Sequence, residues 1–291
     1  MFARAAIAFS IFVASPAHAE PAPPYAPPFQ LRPAVAASVL RADTSAALYE
    51  EGQTIVTSLI ASYKLSPTVV PFARFAVLHD EPAMGTAATG TSNALAGLQW
   101  APRIGRRWRA SVIGAVTAPI GTGGGNAPDA GKAAANRAAI AARSSLDNTM
   151  FSPNDVALIA GASAAYVDRG LTLQAEVTVF ELARVRGADV QPDRYKTNAT
   201  SGLFAGYFLG AHVSLGAELR YQRYLSTPAF VANDATHTLR DQLTAAGGVR
   251  THWQLASRRW LRPGVSYARA LDAPMTSRSY QIVQIDLLFA Y

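Results

Sequence analysis

The sequence predicts an all-β fold: an up-and-down antiparallel transmembrane β-barrel of about twelve strands (10–14), with short periplasmic turns and longer outer loops. Three observations predict it. Segments of about ten residues with apolar and polar side chains in strict alternation recur along the chain. The links between them are short and long by turns. The last segment, Tyr280 to Tyr291, carries Val283, Ile285, Leu287, Phe289 and Tyr291 on one face and ends the chain on an aromatic ring.

Composition agrees. The chain of 291 residues is 50% hydrophobic and only 15% charged, with a mean hydropathy of +0.11. A water-soluble domain carries about a quarter charged residues, whereas a barrel turns alternate residues toward lipid. No apolar run approaches the roughly 20 residues that a membrane-crossing helix needs.

The N-terminus reads as an export signal. Arg4 precedes the apolar stretch Ala5 to Val13, and Ala17-His18-Ala19 is a small-x-small cleavage pattern. The expected organisation is a signal peptide over 1–19 cleaved near Ala19, a Pro-rich periplasmic leader over 20–33, and the barrel over 34–291. The expected location is the outer membrane of a Gram-negative cell.

Within the barrel, alternation is clearest in His212–Gln222, Leu171–Val179 and Leu243–Leu255. Weaker segments lie near 34–42, 54–65, 68–79, 92–101, 107–119, 155–167, 198–209, 261–271 and 280–291, which with those three make twelve. Ser66-Pro67, Asp168-Arg169-Gly170 and Leu209-Gly210-Ala211 supply compact reversals. The longer links are 43–53, 80–91, 120–154, 186–197, 226–242 and 272–279. Trp100, Trp108, Trp253 and Trp260 all fall beside short links, as a periplasmic-side aromatic girdle would. Phe289 and Tyr291 resemble the C-terminal signal read by barrel-assembly machinery, an expected partner beside outer-membrane lipids and lipopolysaccharide.

Several chemistries are excluded or unsupported. With no cysteine, thiol nucleophiles, cysteine metal sites and disulfides are out. The net charge of +7 rests on scattered arginines, with Lys64, Lys132 and Lys196 the only lysines, so no nucleic-acid surface is expected. The Gly-rich start of 120–154 resembles a phosphate-binding loop, but Asn126 replaces its first glycine and Ala133 its Ser/Thr. No cofactor follows. Lys132–Ser145 is alanine-rich enough for a short helix at or inside the barrel mouth, where such a loop narrows a pore or covers a site. No hydrolase elbow or metalloprotease helix appears, and His252 reads as a structural lumen histidine. The chain is expected not to be an enzyme; a lipid-modifying site would need a nucleophile, base and orienting group together, and no such set is evident.

The inward positions carry the remaining chemistry. Alternation turns Gln174, Glu176, Glu218, Arg220, Gln222, Arg250 and His252 into the lumen, with Arg107, Arg109, Arg262, Gln284 and Asp286. Asp286 faces the lumen with Arg262 as a candidate partner. Buried charges must find partners or water. Two readings follow: a polar path for small-molecule solutes, or a salt-bridged interior that closes a non-transporting barrel used for structure or surface interaction.

Leu215-Gly-Ala-Glu-Leu-Arg-Tyr-Gln-Arg-Tyr224, Trp260-Leu-Arg-Pro-Gly-Val-Ser-Tyr267 and the aromatic terminus resemble proteobacterial outer-membrane proteins of the transporter-like type, similar to the barrels encoded beside meta-pathway phenol-degradation genes. The resemblance covers the C-terminal half and implies passive passage of small hydrophobic or aromatic molecules. It maps no binding residues.

Overall fold

The computed structural model describes residues 24–257 and 259–291; the expected signal peptide and the first leader residues lie outside them. Among the described residues fifteen strands form one sheet. They are β1 (Val39–Tyr49), β2 (Gly52–Ser62), β3 (Val69–Pro82), β4 (Ala88–Thr91), β5 (Ala94–Trp100), β6 (Arg103–Ile104), β7 (Trp108–Ala118), β8 (Asp155–Asp168), β9 (Leu171–Arg184), β10 (Tyr195–Phe208), β11 (Val213–Tyr224), β12 (Asp241–Thr251), β13 (Trp253–Ala256), β14 (Arg259–Ala270) and β15 (Gln281–Ala290). Twelve of them close into an antiparallel barrel. Closure is made by β1 against β15, from Val39 opposite Ala290 to Leu48 opposite Gln281. The short strands β4, β6 and β13 extend β3, β7 and β14 at the rims.

The side-chain pattern is inverted relative to a soluble β-protein. In β15, Val283, Ile285 and Leu287 are 38%, 63% and 48% exposed, while Gln284 and Asp286 are buried. β9 repeats this, with Leu173, Val177 and Val179 outside and Thr172, Gln174, Glu176 and Thr178 inside. A sheet of this kind is stable only with lipid against its outer face and its polar groups satisfied within.

The links divide between the two ends. One end carries the compact reversals, including Arg169-Gly170, where both residues have positive φ (44° and 88°) and match the right-handed twist of the paired strands. The opposite end carries the long connections 83–93, 119–154, 185–194, 225–240 and 271–280. The first link departs from expectation. β1 runs on through Asp43 to Tyr49 and reverses over Glu50-Glu51 alone, so 43–53 is mostly strand. A charge at position 43 looks like the start of a loop, but in β1 it points into the lumen, where a partner waits.

The lumen is not empty. Connection 119–154 folds inward and forms α1 (Ala130–Ala142), capped by the Asp129 carboxylate on the Lys132 amide at 2.9 Å. Ala135, Ala139 and Ala142 of α1 pack into the same core as Ala47, Val56 and Leu78 of the wall. From the short-link end the leader also enters. Ala26, Phe29, Leu31 and Ala34 are 1–2% exposed, so the segment expected to lie outside the barrel runs inside it. The two insertions meet: Ala26 and Leu31 of the leader cluster with Leu146 of the long connection and Phe204 of β10.

Candidate functional site

The lumen wall holds the leader mainly by its backbone. Glu218 accepts the amides of Phe29 and Gln30, Glu176 accepts that of Arg32 at 2.7 Å, and Thr172 accepts that of Ala26 at 3.0 Å. Arg41 and Gln284 donate to the Phe29 carbonyl, Arg250 to that of Pro28, Gln174 to that of Arg32 and Gln99 to that of Pro33. A proline-rich segment cannot pair as a strand, so wall side chains satisfy its backbone instead. Tyr25 adds a hydroxyl bond to Gln174 at 2.5 Å, and the Arg250 guanidinium lies 5.0 Å over the Phe29 ring. Inward glycines make room for it. A Cβ on Gly202 would collide with Leu31, and one on Gly248 would come within 2.7 Å of Phe29.

A second set holds the long connection just beyond α1. Arg143 pairs with Asp43 of β1 and with Asp147, at 3.1 Å for the latter. Arg74 of β3 makes a two-pronged pair with Asp147, both distances 2.6 Å. Arg220 donates to the Ser144 hydroxyl at 3.0 Å, and Ser145 donates to Gln242. Burial raises the Asp147 carboxyl, but Arg74 and Arg143 outweigh it and hold it well below the usual carboxylate range. Asn93, in the link before β5, clamps the returning chain: its Nδ2 donates to the Ser152 carbonyl at 2.8 Å and its Oδ1 accepts the Gly121 amide at 3.0 Å.

Of the lumen residues expected from alternation, Gln174, Glu176, Glu218, Arg250 and Gln284 are all buried and all touch the leader. Arg220 is buried, pairs with Glu218 and reaches the long connection. Gln222 meets Asn198 at 2.9 Å. Asp286 pairs with Arg41 at 2.7 Å and with Arg250, whereas Arg262 stacks over Trp260 at 5.6 Å and lends its carbonyl to Arg250. Arg109 is buried but turns back to the carbonyls of Arg106 and Trp108, both at 2.9 Å. Arg107 sits outside the lumen in an exposed pair with Asp168. His252 binds Ser214 at 2.8 Å, and the ionisable groups bearing on it are Arg262, Arg250 and His212, none of them a carboxylate that would orient it as a base.

Trp100, Trp108, Trp253 and Trp260 stand at the short-link end; the first three are more than half exposed, and Trp260 is half-buried. Phe289 and Tyr291 stack at 5.9 Å at the same end.

Sequence reasoning missed Arg41, Asp43, Arg74, Arg143 and Asp147. Arg41, Asp43 and Ser45 do share one parity in β1, and that was the available signal. Arg143 and Asp147 lie in a connection, where no period exists to show which way a side chain points.

At the long-link end, α1 and connections 185–194, 225–240 and 271–280 enclose a vestibule of about 560 Å³.

The fold is shared with known outer-membrane barrels. The NanC porin superposes with a TM-score of 0.51 at 7% identity, over 85% of this chain and 98% of that one. The translocator domain of the autotransporter NalP from Neisseria meningitidis gives 0.50 at 12% identity, covering 87% of each. The KdgM porin follows at 0.46 and 8%, covering 86% and 99%. At such identities the likeness is one of fold. No family model matches the chain, nor does any curated protein, so the resemblance to the phenol-degradation barrels stays one of strand texture.

Proposed function

We propose that the protein is an outer-membrane channel for passive passage of small molecules, closed at rest by its leader from the periplasmic end and by the 119–154 connection from the outside. The observation that carries this reading is what fills the lumen. A barrel of about eight strands is filled by its own wall side chains, while one of about sixteen leaves an aqueous channel. Here twelve strands leave a bore that wall side chains alone do not fill, and two segments outside the strands fill it. Besides its apolar packing against α1 and the leader, the wall meets them through hydrogen bonds and ion pairs, which water can replace when they withdraw. The porin-like fold supports the same reading, as does the polar wall that withdrawal would leave behind.

Single-channel recording in planar bilayers tests this. The full chain is expected to stay closed for long periods broken by discrete openings, as one or both insertions leave transiently. A folded chain that never opens, at any voltage or salt, would speak for the closed structural barrel instead.

A further inference from the structure

The vestibule lies on the outer side of the long connection, so a solute arriving from outside would meet it first. Its lining is mostly apolar, with Ile140 of α1, Phe151, Val190, Phe230 and Met275 contributing. Phe230 stands edge-on to Tyr224 at 5.1 Å between ring centres. The volume of about 560 Å³ falls within the range of sites for small organic ligands.

Four charged residues line it: Arg137, Lys196, Arg278 and the carboxylate Asp193. Lys196 is committed to Asp155 at 2.6 Å, and Arg278 pairs with Glu51 while stacking on Tyr49 and Tyr280. Asp193 spends both oxygens on the Ala229 amide, at 3.1 and 3.0 Å. Arg137 is exposed and has no ion pair or hydrogen bond among the described residues. The site thus combines an apolar chamber with an uncommitted guanidinium.

We propose that the vestibule is a recognition site for small organic anions, in which a carboxylate meets Arg137 and an apolar body occupies the chamber beside Tyr224 and Phe230. The proposal deepens the passage reading by naming a solute class, and it rests on that reading only for its purpose, since binding is measurable without passage.

Calorimetric titration of the full chain in detergent, with 3-phenylpropanoate, 3-phenylpropanol and 3-phenylpropylammonium, separates charge from shape. The anion is expected to bind best and the ammonium worst. Because Arg137 is solvent-exposed, the preference for the anion over the alcohol is expected to be only about fivefold at low salt and to shrink as salt rises. Arg137→Gln is expected to bring the anion down to the alcohol's affinity. Equal binding of the three probes, binding of none, or an anion preference that survives Arg137→Gln would overturn the proposal. A chain that prefers the anion yet never conducts retains the recognition site and loses the passage reading. One that conducts without discriminating does the reverse.

Discussion

Replacing Arg143 by leucine is expected to free the 143–147 segment from the lumen wall. Arg143 is 1% exposed and sits between Asp43 and Asp147. Removing it strands the Asp43 carboxylate in the interior, with Arg41 next nearest at 4.0 Å. Breaking a buried pair from one side costs about 3–5 kcal/mol, because the remaining charge is left uncompensated. The insertion, not the barrel, should bear that cost, since the strands keep their hydrogen-bond ladders. The measurement is limited proteolysis from the outside. Cleavage within 120–154 should accelerate by about two to three orders of magnitude in Arg143→Leu, while the slow gel mobility of the unheated, folded barrel is retained. Adding Asp43→Leu should recover much of the protection, as replacing both charges with apolar groups often does.

The leader should respond as strongly to Glu218→Ala. Glu218 has a fully buried side chain, accepts the Phe29 and Gln30 amides and pairs with Arg220 at 2.5 Å. Its loss removes the anchor of the leader's innermost turn and leaves Arg220 buried without its carboxylate. Hydrogen exchange reads this locally. The amides of Phe29, Gln30 and Arg32 are expected to lose about two to three orders of magnitude of protection, from the same cost of about 3–5 kcal/mol. The β9 and β10 amides should keep theirs. Loss spread evenly over leader and wall would mean instead that the leader is part of the barrel's core.

The strands were legible because the physics of a lipid-facing sheet is local. A residue either faces lipid or the lumen, and two consecutive residues never do the same. That rule alone places Glu176, Glu218, Arg250 and Asp286 inside. It also explains the weakest stretch: Gly202 breaks the alternation in β10 because it gives way to Leu31 of the leader, and Gly206 because it gives way to the Phe204 ring and to Ala26. In isolation those glycines look like a poor strand; with the leader in place they form its seat. The contents of the lumen were not legible. Neither the proline-rich leader nor the connection after α1 has a period, so nothing in them indicates inside or outside. Partner choice was hidden for the same reason. Asp286 meets Arg41 through closure of β15 on β1 and Arg250 from β12, a meeting fixed by the ring of strands and invisible along the chain.

The central claim is that the leader and the 119–154 connection are removable stoppers in a lumen that is passable without them. It is tested most directly by recording from a chain that lacks residues 24–33 and carries Arg143→Leu to free the second insertion, before and after a synthetic peptide of residues 24–33 is added to one side. The account expects frequent, long openings in the shortened chain. It also expects the peptide to close them only from the short-link side, by reoccupying the seat formed by Glu218, Glu176 and Arg41. A shortened chain that folds and inserts but passes no current would contradict the claim, and the protein would then be a barrel built closed.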